Sequence, residues 1–141
     1  MIMDKYASRR YDIHEEDAID VSVLEHLPFD YSGSATEIVY ETGEFTSVCP
    51  WTGLPDFARL VIRYLPDRKL VELKSLKYYL TSFRNVGILQ EHAVNRVLND
   101  LVRLVEPASM TVEAVYADRG GITTRAAARY EKDGQIRNGL P

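Results

Sequence analysis

Phe57-Ala58-Arg59-Leu60-Val61-Ile62-Arg63-Tyr64-Leu65 alternates with a period of two. Ala58, Leu60, Ile62 and Tyr64 form an apolar face, while Phe57, Arg59, Val61 and Arg63 point to the other side of an extended chain. Pro66-Asp67 closes the run as a turn, so this is a strand with one face against a core. Working outward, Glu37 to Glu41 reads as a preceding strand, with Gly43 as the mark of a bulge. The segment carrying Cys49 and Asp56 reads as a long connection between the two.

Downstream the period changes. Leu73, Leu76, Leu80 and Phe83 fall at helical spacing, so Lys74 to about Phe83 is expected as a helix with those residues toward the core. Lys74, Lys77, Tyr78, Thr81 and Arg84 trace its opposite face. After a break at Asn85-Val86-Gly87, a second helix is expected from about Leu89 to Val105, ending before Pro107. Its apolar stripe is Val94, Val97, Leu98, Leu101 and Val105, and Glu91 shares that face. Thr111 to Ala117 is a strand, Asp118-Arg119-Gly120-Gly121 a turn, and Ile122 to Tyr130 the last strand.

Strand, strand, helix, helix, strand, strand is the order of an α+β domain: a four-stranded antiparallel sheet with two helices on one face. Such a sheet keeps two open edges, which invite pairing between subunits, so a ring-like or barrel-forming oligomer is expected. Residues 1–33 read as an N-terminal extension, 34–131 as the domain, and 132–141 as a polar tail.

Composition narrows the function. The chain has 141 residues, 45% hydrophobic and 27% charged, which suits one globular domain. A single cysteine excludes an intramolecular disulfide framework and a cysteine-rich zinc site, and fits a reducing compartment. Neither a signal peptide nor a membrane span is legible, so a cytoplasmic location is expected. The net charge of −4 argues against a nucleic-acid stripe. His14, His26 and His92 make no metal-ligand spacing with Cys49.

Four groups of residues admit chemistry. Cys49 stands before a turn punctuated by Pro50, Gly53 and Pro55, and Asp56 follows it. A thiolate nucleophile with an acid to move its proton is one reading; a buried thiol and a turn-capping aspartate is the other. Glu91, near a helix N-terminus on an apolar stripe, would pair with the N–H edge of a ligand such as a guanine, or reach solvent. Lys74, Lys77 and Arg84 suit a phosphate-bearing cofactor or a solvated basic face. Arg119 and Gly120 stand at a ligand-facing turn or in a plain hairpin.

Taken together, these segments resemble the NADPH-dependent 7-cyano-7-deazaguanine reductases, the nitrile reductases of queuosine biosynthesis, in their short single-module form. The matching pieces are Glu44 to Pro50, Thr52-Gly53, Pro55-Asp56-Phe57, Glu72-Leu73-Lys74-Ser75-Leu76-Lys77-Tyr78-Tyr79, Ser82-Phe83-Arg84-Asn85, Glu91, Asn99-Asp100-Leu101 and Arg119-Gly120-Gly121-Ile122. The resemblance spans about Leu24 to Tyr130. It implies a tunnelling fold (T-fold), pentameric rings stacked in pairs, and substrate sites between subunits.

The implied chemistry uses Cys49 to form a covalent thioimide with the nitrile, Asp56 as proton donor, and NADPH as hydride source. Glu91 would anchor the deazaguanine, with Glu72, Ser75, Gln90 and His92 also on the substrate side. Lys74, Lys77, Arg119 and Gly120 would hold NADPH. One departure stands out: Gln90 occupies a position where the family often has His, and His92 follows the Glu instead. Gln hydrogen-bonds but does not transfer protons at neutral pH. The rival readings are a related thioimide-forming amidinotransferase acting on tRNA, a zinc cyclohydrolase of the same fold, which lacks its ligands here, and a non-catalytic purine- or pterin-binding module.

Overall fold

The computed structural model describes residue 7 and residues 11–132. The remainder of Met1 to Arg10, and all of the expected polar tail except its first residue, lie outside the described residues. Two short 3-10 turns, Glu16–Ala18 and Val21–Val23, precede β1 (His26–Pro28), β2 (Ile38–Val48), β3 (Pro55–Leu65), β4 (Lys69–Val71), α1 (Leu73–Thr81), α2 (Gln90–Val105), β5 (Ser109–Tyr116) and β6 (Arg125–Glu131). The main sheet has the order β2-β3-β5-β6, all antiparallel. The α+β architecture is therefore the one the alternation and the helical stripes require.

The apolar face of β3 is buried as its alternation demands: Ala58, Leu60, Ile62 and Tyr64 are each 4% exposed or less. Met110, Val112, Ala114 and Tyr116 continue that face on β5, and both helices cover it. Full burial of an aliphatic or aromatic side chain contributes about 1.5–3 kcal/mol, so this one layer dominates the favourable side of folding. The stripe Val94, Val97, Leu98, Leu101 and Val105 of α2 is buried throughout, and α2 packs on β5 and β6.

The Cys49 segment is shorter as a connection than its sequence suggests. β2 runs on to Val48 through a bulge: Thr42 pairs Leu60, but Phe45 pairs Ala58. Three residues of β2 advance against two of β3, and the parity of β2 flips. Before the bulge Ile38, Tyr40 and Thr42 share the core face; after it Phe45 and Ser47 do.

Three further details depart from expectation. Leu73 is exposed, and Tyr79, fully buried, takes a core position on α1 that the leucine spacing did not assign. Tyr79 OH donates to Asp100 Oδ2 at 2.6 Å, and Arg96 Nε donates to the same oxygen at 2.9 Å. The last strand begins at Arg125, because Gly120 and Gly121 adopt left-handed backbone (φ 59° and 79°) and Arg119 and Ile122 close a tight turn on each other. The described part of residues 1–33 is packed on the domain: Ile19 is buried, β1 pairs β4, and His14 bridges Val86.

Candidate active site

β2 ends at Val48, and the chain turns at once. Cys49 N–H donates to Leu54 O and Gly53 N–H donates to Cys49 O, both at 2.9 Å. Gly53 has φ 71°, a conformation that glycine adopts without steric cost. Ser47 stands directly across from Asp56 and Val48 across from Pro55, so Cys49 continues the row that holds Ser47 and Asp56. The bulge decides this. Without it, Cys49 would face the opposite side of the sheet from Asp56.

The half-buried Cys49 thiol is held below the ordinary thiol range. A hydrogen bond from the Thr52 side chain is the main cause. Partial burial opposes it, and the backbone N–H groups of Thr52 and Trp51 and the charge of Arg119 add to it. Asp56 is buried and paired: Arg119 Nη1 lies 2.7 Å from its Oδ1. Thr46 Oγ1 fixes the same residue by donating to its backbone carbonyl at 2.7 Å. Ser47 Oγ is buried with no hydrogen-bond partner among the described residues.

Tyr116 ties this end of the sheet to α2. Its hydroxyl donates to Gln90 O at 3.4 Å. Burial pushes its pKa well up, and the negative charges of Asp56 and Glu91 add to the effect. Asp56, Tyr116, Gln90 and Glu91 thus converge near the Cys49 turn. Sequence reasoning placed Tyr116 only in a strand; its position at the end of the Met110, Val112, Ala114 row was the available signal.

Several expected site residues stand differently. Glu91 is exposed, not inward: in the first turn of α2 the stripe beneath it begins only at Ala93 and Val94. His92 is exposed as well, and Gln90 is half-buried. Ser75 is bonded within the chain. It is buried, its hydroxyl donates to Glu72 O at 2.8 Å, and it accepts from Glu25 N–H at 2.9 Å. Glu72 caps α1, its carboxylate accepting from the N–H groups of Lys74 and Ser75. Arg119 is engaged by Asp56 and does not join Lys74 and Lys77, and Gly120 shapes its turn.

Lys74, Lys77 and Arg84 line one groove of about 890 Å³ between α1 and the edge strand β2, with Glu41, Glu44, Phe45 and Leu73 among the other walls. Cations on one wall beside apolar surface fit a phosphate-bearing cofactor such as NADPH. Cys49 and Asp56 do not line this groove. Among the described residues no three His, Cys, Asp or Glu side chains converge as metal ligands, and no helix is long and apolar enough to cross a membrane.

An α+β tunnelling-fold protein with a lowered-pKa thiol at the end of a strand and a buried, arginine-paired carboxylate on the next strand is the class that fold and site define. The solved structure of the archaeosine synthase QueF-Like in the apo form shares the fold, with a TM-score of 0.63 over 68% of this chain and 94% of that one, at 22% identity. The family model described as QueF-like protein matches residues 55–135. The NADPH-dependent 7-cyano-7-deazaguanine reductase of Caldicellulosiruptor bescii is 63% identical over 129 residues, 92% of this chain and 98% of that protein. That of Caldanaerobacter subterraneus subsp. tengcongensis is 59% identical over 130 residues, 92% and 97% of the two chains. The chain belongs to the QueF family.

Proposed function

We propose that this protein reduces the nitrile of 7-cyano-7-deazaguanine to an aminomethyl group with two equivalents of NADPH, and that Cys49 is the nucleophile. The observation that carries the reading is the Cys49 thiol, lowered in pKa and in the same row as Asp56, in a chain that shares most of its residues with such reductases.

A nitrile carbon is a poor hydride acceptor. Cys49 makes it a better one: the thiolate adds to carbon, a C–S bond forms, and one π bond of the nitrile breaks. Asp56 takes the thiol proton and delivers it to the nitrogen, giving a neutral thioimide. Arg119 holds the carboxylate during this exchange. NADPH, when bound, supplies the hydride for this adduct and again for the imine left when the C–S bond breaks and Cys49 departs as thiolate. Lys74 and Lys77, with Arg84, would hold its phosphates. Glu91 accepts hydrogen bonds from the deazaguanine N–H edge, near Tyr116 and Gln90. Gln90 positions and does not transfer a proton; that task falls to Asp56 and solvent.

Self-association in stacked pentameric rings belongs to the same reading. Among the described residues β2 and β6 are the outer strands of the four-stranded sheet, and the cationic groove is separate from Cys49 within one chain, which supports a site completed by a second copy. An unpaired cysteine suits the cytoplasm. The amidinotransferase reading is disfavoured by the intact Glu72 to Tyr79 segment, since ammonia attack requires no NADPH groove.

NADPH absorbance, followed on adding 7-cyano-7-deazaguanine to wild type and Cys49→Ala, tests the proposal. Two NADPH oxidised per nitrile, lost in the variant, is the expected result. A covalent adduct without oxidation would overturn reduction in favour of amidinotransfer or of a reductase disabled by Gln90. Neither adduct nor oxidation would overturn the thioimide and leave a binding module.

A further inference from the structure

The N-terminal stretch reaches the nucleophile turn. A β-carbon placed on Gly53 would come within 3.0 Å of Tyr11 Cβ and 3.2 Å of Ile13 Cγ1. One placed on Gly87 would come within 2.5 Å of Ile13 Cγ2 and 3.1 Å of Pro50 Cα. Gly87 does not have a positive φ, so space and not backbone conformation demands glycine there. Ile13 therefore lies against both Gly53 in the Cys49 turn and Gly87 behind it.

The backbone carries the same connection. His14 N–H donates to Asn85 O at 2.7 Å and Gly87 N–H to His14 O at 2.9 Å. On the other side Val48 N–H donates to Val86 O at 3.0 Å and Ile88 N–H to Val48 O at 3.2 Å. Residues 85–88 are thus a strip held between the N-terminal stretch and the residue before Cys49, and α2 opens two residues later with Gln90 and Glu91.

We propose that Ile13, with Tyr11 and the backbone of His14, is a positioning residue that clamps the Cys49–Leu54 turn in the form in which Thr52 and Trp51 direct their donors at the sulfur. The inference rests on the reading of Cys49 as nucleophile. The turn needs such a clamp. Trp51 and Leu54 are exposed and bring no burial of their own, and Thr52 Oγ1 must accept from Leu54 N–H at 3.2 Å while it serves Cys49. A surface turn held only by its own hydrogen bonds opens at little cost. Packing Ile13 against its glycine raises that cost without touching the sulfur.

The test is the pH dependence of Cys49 alkylation by iodoacetamide, which reads one residue because the chain has one cysteine. The charge that acts on the sulfur, Arg119 of the β5–β6 turn, stays in place with its partner Asp56 of β3, as do Glu91 of α2 beside Tyr116 and His14 on the clamp itself. Ile13→Ala and Gly87→Ala are expected to move the alkylation midpoint up by about half a pH unit, a roughly threefold loss of thiolate below both midpoints. kcat falls in step, while KM for NADPH changes little. In the double variant the 2.5 Å clash with Ile13 is gone while the contact with Pro50 Cα remains, so its shift is smaller than the sum of the two single shifts.

Ile13→Val, which removes the δ-methyl 3.5 Å from a β-carbon placed on Gly53 and keeps the closer γ carbon, gives a smaller shift of the same sign if the alanine variant folds poorly. An unchanged midpoint in folded Ile13→Val and Gly87→Ala overturns the proposal. So does an equal shift in Val21→Ala, which lies in the same stretch but not against the turn. Wild type that is alkylated normally but oxidises no NADPH would instead remove the reductase reading and leave the clamp standing.

Discussion

Arg119 Nη1 sits 2.7 Å from Asp56 Oδ1, although the two residues are 63 positions apart. The same guanidinium lowers the pKa of Cys49, so one side chain serves both members of the proposed catalytic pair. Arg119→Ala removes the cation from a buried carboxylate and from the thiolate together. The expected outcome is a loss of about 1–2 kcal/mol in urea unfolding, below the cost of breaking a fully buried pair because Arg119 is half exposed. Cys49 alkylation should require higher pH, and kcat should fall more than Arg119→Lys lowers it.

Thr52→Val removes the hydroxyl that contributes most to lowering the Cys49 pKa. The thiolate is the reactive form, and a lowered pKa populates it at lower pH. Loss of the donor must therefore shift alkylation and turnover profiles toward higher pH. Below both midpoints, turnover is expected to fall by the same factor as the thiolate fraction. Circular dichroism checks that the turn's loss leaves the fold intact.

Tyr79 and Asp100 lock α1 to α2 through a buried bond of 2.6 Å. Tyr79→Phe leaves Asp100 with Arg96 as its charged partner and should destabilise the protein by about 1.5–3 kcal/mol, the range for a hydrogen bond to a charged group. Equilibrium unfolding in urea should show a lower midpoint with an unchanged slope. KM for the nitrile should be unaffected, since neither residue approaches the Cys49 turn.

Lys74→Ala combined with Lys77→Ala takes two cations from the groove beside β2. Both side chains are exposed, so stability should change little. KM for NADPH should rise about tenfold, and its dependence on salt should weaken, because screened Coulomb attraction is what the substitution removes. Steady-state kinetics at two ionic strengths would read both effects; an unchanged KM would move the cofactor elsewhere.

Much of the fold was legible because burial leaves a periodic trace. The alternation around Leu60 and Ile62 and the stripe from Val94 to Val105 each survive into the structure, since a strand or helix with one buried face cannot hide its period. Short-range pattern was weaker where one residue competed with another. Tyr79 took a core position because its hydroxyl found Asp100, a partner that no local spacing announces. Ser75 accepts from Glu25 of the N-terminal stretch, 50 positions away, a contact that no local spacing announces. Glu91 has the phase of the buried stripe of α2, but it stands in the first turn, ahead of Ala93 where burial begins, and is exposed.

The sequence by itself determined the order of elements, the apolar faces and the residue types available for thiol and phosphate chemistry, because these depend on side-chain character and local spacing. Only the tertiary structure decided which of those residues meet. One extra residue between Thr42 and Phe45 inverts the facing of everything after it, and so sets Cys49 in the row of Asp56. The Arg119–Asp56 pair, the Tyr116 link to Gln90 and the contact of Ile13 with the nucleophile turn follow from strand register and loop crossing. Those are set by how whole faces pack, and a face can be packed only once its partner is known.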